Sequence, residues 1–170
     1  MNRTIFILIL GVFTLSCVNP QSAAKDKSKV VRVMADQIAT KFSKAPQVTI
    51  EDYLKWKQDN IELVLVDVRP VKEREVSIIP GAISKEEFKE NKEKYKDHKI
   101  VAYCTIGYRS SEFVQSLVKK NYNAFNLKES LLGWAHRGHK FEVNGKQTNR
   151  AHIYEDAWNF LPVGYEGVSD

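Results

Sequence analysis

Two cysteines in 170 residues are too few for a disulfide framework, and a chain of this length buries enough apolar surface to fold without one. Segregated charge is missing too. The 26 lysines and arginines are interleaved with 21 aspartates and glutamates, so the net charge of +5 is not gathered into the basic stripe that nucleic-acid binding requires. At 85–99, lysines and acids alternate at helical separations around Phe88 and Tyr95, the pattern of a solvated helix face. Of four histidines, His136 and His139 lie three apart, yet no cysteine or paired carboxylate stands beside them to complete a metal site. The sequence therefore predicts no metal, no organic cofactor and no nucleic-acid partner. It contains no internal repeat and no low-complexity block.

The one long apolar run is at the N-terminus. Arg3 precedes an almost unbroken hydrophobic stretch at 5–15, too short to span a bilayer comfortably, and Thr14-Leu15-Ser16-Cys17 follows. This is the layout of a secretory signal. The last four residues resemble a bacterial lipobox, which implies a signal peptide at 1–16, lipid attachment to Cys17, and an exported lipoprotein facing the periplasm or the cell exterior. Cleavage after Ser22-Ala23-Ala24 is the competing outcome. In either case Cys104 is left as a solitary thiol in an exported protein, where an unpaired cysteine suggests chemistry; a Cys17–Cys104 disulfide is the bland alternative.

Residues 17–29 are polar and read as a lipid-anchored flexible tether. Val30, Val31, Met34, Ile38 and Phe42 recur at helical intervals, predicting an N-terminal helix over 30–45 that packs on the domain and stops at Pro46. From there helices and strands alternate. The pattern gives strands at 47–49, 63–68, 100–103 and 124–127, and helices at 50–59, 86–95, 111–120 and 131–137. Continuous apolar strands separated by helices mean an α/β fold with a mostly parallel central sheet and helices on both faces. Val143-Asn144-Gly145-Lys146 reads as a hairpin turn. The aromatic content of the extension 141–170 predicts that it packs back on the domain, near the rim of the site.

In such sheets ligands sit beyond the carboxyl ends of the strands, and Cys104 falls at one of those ends. Thr105-Ile106-Gly107-Tyr108-Arg109-Ser110 makes a poor strand but a good polar turn capping the next helix, which predicts that the thiol lies at the strand's end, outside the core. Unpaired amides of the turn and first helical residues, the helix dipole and Arg109 all favour a thiolate there. Gly107 lets the backbone curl around the sulfur.

The order Cys104, Gly107, Arg109, Ser110 resembles the active-site loop of the rhodanese family, single-domain sulfurtransferases that carry sulfur as a cysteine persulfide. Leu65-Val66-Asp67-Val68-Arg69, Ile79-Pro80-Gly81-Ala82-Ile83 and Leu131-Leu132-Gly133-Trp134 resemble further family segments in the same order, so the likeness covers about 46–140. Two departures stand out. Ser77-Ile78 replaces a Gly-His pair, and a double glycine is missing near Glu129-Ser130.

The resemblance implies that Cys104 takes sulfane sulfur from a donor such as thiosulfate and passes it to a thiol or cyanide, with Thr105, Ile106 and Tyr108 shaping access. A protein thiol is a further partner it allows. Asp67 and Arg69 are implied to lie close to the loop, either touching substrate or as an ion pair that fixes the strand end. Two other readings compete. A phosphatase or arsenate reductase resembles Cys-x-x-x-x-x-Arg, whereas four residues separate Cys104 from Arg109; a membrane-tethered thiol-redox or binding module would use the same cysteine with little turnover. Mass spectrometry of the exported protein is expected to find a diacylglyceryl adduct on Cys17 that is absent from Cys17→Ser.

Overall fold

The computed structural model describes residues 20–169, with side chains from residue 27 onward; the signal segment and Cys17 lie outside the described residues. Five parallel strands, β1 (Gln47–Val48), β2 (Leu63–Asp67), β3 (Ile83–Ser84), β4 (Lys99–Tyr103) and β5 (Ala124–Leu127), form a sheet in the order β1-β5-β4-β2-β3. The chain order reverses between β2 and β4. A crevice opens at such a reversal because the flanking connections leave on opposite faces.

Strand parity divides the core in two. Leu65, Val101, Tyr103 and Leu127 point to a face covered by α2 (Ile50–Gln58) and α6 (Ser130–His136), where Ile50, Tyr53, Leu131, Leu132 and Trp134 pack. Val64, Val66, Ile100, Ala102 and Ala124 point to the other, covered by α4 (Lys85–Glu90) and α5 (Tyr108–Val118) through Phe88, Val114 and Leu117. Thr49 and Ser84 cap α2 and α4 by accepting the amides of Asp52 and Glu87, and acidic residues follow in each first turn.

The first helix, α1, runs Pro20–Lys41, ten residues earlier than the periodicity predicts. The polar stretch read as a flexible tether is therefore helical from Pro20 onward. It holds straight-chain and alanine residues without glycine, and a proline suits the first helical position, so polarity there marks a solvated helix and not a loop. Val31 and Ala35 are buried, and α1 packs on α5 and α6. No helix among the described residues is long and apolar enough to cross a membrane.

A short helix, α3 (Val71–Val76), and β3 escape the sequence pattern, and α5 begins three residues earlier than predicted. Beyond α6, the hairpin β6 (Phe141–Val143) and β7 (Lys146–Thr148) turns on Asn144 and Gly145, both at positive φ. Strands β8 (Arg150–Tyr154) and β9 (Glu166–Ser169) then pair in parallel and return the extension to the domain, with Phe141, Ala151, Ile153 and Leu161 in the core.

A buried polar lock joins the carboxyl ends of β2 and β4. Arg69 Nη2 donates to Asp67 Oδ2 at 2.7 Å and to the Ser77 carbonyl at 2.6 Å, while the Tyr103 hydroxyl donates to the same Asp67 oxygen at 2.5 Å and accepts the Ile79 amide at 2.9 Å. Burial opposes the charge on Arg69, yet Asp67 keeps its pKa above the ordinary value; burial first, then Asp67, pushes the Tyr103 phenol well above its own. Arg69→Met is expected to strand a buried carboxylate and cost about 3–5 kcal/mol, read as a lower urea midpoint with unchanged slope.

Candidate active site

Cys104 directly follows β4 and continues the parity of Ile100 and Ala102, so its side chain turns toward α5. The sequence places this thiol outside the core; the structure corrects that. Cys104 is 1% exposed and belongs to the α5-side cluster, because the strand's alternation carries it inward and α6 closes over the loop. Leu131 and Leu132 donate their amides to the carbonyls of Cys104 and Thr105 at 3.2 and 3.1 Å. Cys104 is nonetheless among the residues that line a cavity.

One amide reaches the sulfur, that of Gly107, at 3.2 Å. Gly107 sits at φ 114 as the residue before α5, and a Cβ there would lie 3.2 Å from Asn126 Nδ2, so both conformation and space select glycine. The first-turn amides of α5 have no helical partners and so remain as donors at this end of the helix.

Behind the thiol runs a directed chain of hydrogen bonds. Gln47 Nε2 donates to the Ala45 carbonyl at 2.8 Å, which turns Gln47 Oε1 toward Asn126 Nδ2 at 2.7 Å and leaves Asn126 Oδ1 to accept from Ser110 at 2.6 Å. The single Ser110 hydroxyl hydrogen thus faces two acceptors, since Cys104 Sγ lies 3.5 Å away. The nearer oxygen claims it while the sulfur is protonated, and an anionic sulfur competes for it. Ser130 Oγ accepts the Cys104 amide at 3.3 Å and fixes the loop from the α6 side.

Arg109 does not stand as a free charge beside the sulfur. Its guanidinium forks onto Glu73 of α3 at 2.6 and 2.8 Å and reaches Thr105 Oγ1 at 3.2 Å. The hydrogen-bonded Glu73 carboxylate, against burial, holds the Arg109 pKa above its ordinary value, with Cys104 adding in the same direction. Glu73 is 4% exposed, so the pair is shielded from water on the acid's side.

The cavity above Cys104 encloses about 180 Å³. The loop supplies Thr105, Ile106, Tyr108 and Arg109, α6 supplies Leu132, and the C-terminal extension supplies Ile153, Tyr154 and Trp158. Asp67 and Arg69 are not among the lining residues: they form the buried lock, and of the two roles considered for them the structure shows the ion pair that fixes the strand end. Tyr108 swings outward, where its hydroxyl accepts from Lys41 at 2.7 Å and its ring meets Phe42 edge-on. His136 contacts the Phe160 carbonyl and His139 packs on Trp134, so the two point to different partners.

A family model described as the rhodanese-like domain matches residues 49–137. The chain belongs to the rhodanese-like domain family. Rhodanese-like folds also recur among solved structures. A thiosulfate sulfurtransferase from Pseudomonas aeruginosa is 20% identical over 68% of this chain, at a TM-score of 0.55, and the match spans 23% of that enzyme. A Rhodopseudomonas palustris protein of unknown function, described as a possible tyrosine phosphatase, is 22% identical over 66% of this chain and 93% of its own, at 0.52. A rhodanese-like domain protein from Staphylococcus aureus is 21% identical over 59% of this chain and 99% of its own, at 0.50. These likenesses establish the fold. No curated protein is significantly similar to the chain in sequence.

Sequence reasoning missed Glu73, Asn126, Gln47 and Ser130. Glu73 sits in a charged run whose only apolar residues are Val71 and Val76, and its partner lies 36 positions away. Removing the charge opposite Arg109 with Glu73→Gln is expected to raise the ratio of iodoacetate to iodoacetamide alkylation rates at Cys104 roughly three- to tenfold, by exposing an anionic reagent to an uncompensated guanidinium. Quenched-flow mass spectrometry measures that ratio.

Proposed function

We propose that this rhodanese-like chain is a sulfurtransferase that moves sulfane sulfur from a donor to a thiol or cyanide through a persulfide on Cys104. The observation carrying this reading is a free thiol, the one cysteine among the described residues, at the carboxyl end of the central strand and in the lining of a cavity, with the Gly107 amide on its sulfur.

In the first half-reaction the Cys104 thiolate attacks the outer sulfur of the donor. An Sγ–S bond forms, the donor's S–S bond breaks, and the electron pair leaves with the remainder of the donor, sulfite in the case of thiosulfate. In the second, an acceptor thiolate or cyanide attacks the outer persulfide sulfur and Cys104 leaves as thiolate. No external oxidant or reductant enters. The Gly107 amide and the Ser110 hydroxyl stabilise the negative sulfur at each stage. A small loop suits this load, since one sulfur atom needs fewer donors than a tetrahedral oxyanion.

Phosphate chemistry is less well served by these residues. Four residues separate Cys104 from Arg109, and the Nη1–Nη2 edge of Arg109 is filled by Glu73, whose negative charge opposes a phosphoryl group there. Export and lipid attachment at Cys17 belong to the same proposal, and would present the donor pocket outside the cytoplasm.

Incubation of the protein with thiosulfate is expected to add one sulfur atom to Cys104 in the intact mass. Cyanide should then remove it and release thiocyanate, with neither event in Cys104→Ser. Absence of any adduct from thiosulfate and from organic persulfides would reject the enzyme in favour of a thiol-redox or binding module.

A further inference from the structure

Both segments outside the family match, α1 and the C-terminal extension, meet over the cysteine. Ile106, Tyr108 and Trp158 border the cavity above Cys104, and the same three residues border an adjoining groove whose far side is Met34 and Ile38 of α1. The two spaces adjoin along these three side chains, one holding Cys104 in its lining and the other lying against α1, and are taken together as one cleft. Its walls are mostly carbon. Of the two cations on its border, Arg109, beside the sulfur, is paired with the Glu73 carboxylate, and Lys41, at the outer groove, donates to the neutral Tyr108 hydroxyl and keeps its charge.

The lining beside the sulfur, with its one cation paired, is a poor match for a small hydrated dianion, whose desolvation needs uncompensated positive charge. It matches a donor with an apolar arm. Resting on the sulfur-transfer reading, we propose that the cleft selects low-molecular-weight organic persulfides, R–S–SH, with R an aryl or branched alkyl group lying between Trp158 and α1. Cys104 attacks the outer sulfur; the inner S–S bond breaks, R–S⁻ departs with the electron pair and takes up the proton that Cys104 gave up, and Cys104 is left as the persulfide. The products are R–SH and the loaded protein, so atoms and electrons balance without a further reagent.

Trp158 is the specificity-determining residue in this scheme. It is 41% exposed and so removable without opening the core, and an aromatic arm stacked on it gains affinity that a polar arm does not. The test follows sulfur loading of Cys104 in the full chain by rapid-quench mass spectrometry, with benzyl persulfide, 2-hydroxyethyl persulfide and thiosulfate at subsaturating concentrations. Benzyl persulfide is expected to load about tenfold faster than the hydroxyethyl compound, and Trp158→Ala to bring that ratio to within about twofold of unity. Equal loading by the two persulfides, faster loading by thiosulfate than by benzyl persulfide, or a ratio unmoved by Trp158→Ala overturns the proposal while leaving sulfur transfer intact. If none of the three loads Cys104, the sulfur-transfer reading falls and the proposal with it.

Discussion

The ion pair between Asp67 and Arg69, closed over by Tyr103, is the constraint on which the site's geometry depends. A charged pair withdrawn from water is stable only when most of its remaining valences are satisfied, and here Tyr103, the Ser77 carbonyl and the Arg69 backbone amide supply the partners, leaving Arg69 Nη1 buried without one. Each tie reaches a different segment, so the pair aligns the ends of β2 and β4 and the chain leading into β3. Because Tyr103 and Cys104 are consecutive, parity sends the phenol to the α6 side and the thiol to the α5 side. The lock sets where the sulfur stands while never sharing its cavity.

On the opposite flank the loop is held by backbone strain. Glu129 and Ser130, at φ 63 and 49, occupy the left-handed region where the resemblance leads one to look for a double glycine. For side-chain-bearing residues that conformation costs roughly 1–2 kcal/mol each. Specific contacts offset it: Ser130 Oγ donates to the Leu127 carbonyl and accepts the Cys104 amide, and the Glu129 carboxylate accepts from Arg137 at 3.0 Å. One turn on, Gly133 is fixed by the same crowding, since a Cβ there would overlap Glu129 Cβ. The two side chains that glycine would lack are what pin α6 to the loop.

Much of the fold is legible in the sequence because apolar alternation and short β-branched runs are local signals. The strand assignments, including Leu63–Asp67 and Lys99–Tyr103, and the placement of Cys104 at a carboxyl end follow from them. What escaped is long-range or weakly patterned. α3 has six residues, too few to show a period, and β3 has two. The polarity of 20–29 speaks to solvation and says nothing of backbone conformation, so a helix there was hidden. The site divides the same way. Gly107 and the cysteine loop are visible as a turn, but the pairing of Arg109 with Glu73 and the relay from Gln47 to Ser110 join segments 36 and 63 positions apart, which no local pattern encodes. Burial of the thiol was misjudged because the loop's polarity outweighed the strand parity that continues through Cys104.

That parity has a further consequence for how the chain can vary in length. Gaining or losing a single residue within Lys99–Tyr103 would exchange the faces of phenol and thiol, leaving Asp67 without its hydroxyl and turning the sulfur away from the Gly107 amide. Such a change cannot be absorbed locally, because the strand is hydrogen-bonded on both edges. Insertions and deletions are tolerable where the backbone lies outside helix and strand, as in the turns at 59–62 and 119–123. The residue count of β4 is thereby fixed by the two neighbouring side chains at its end, which must face opposite ways.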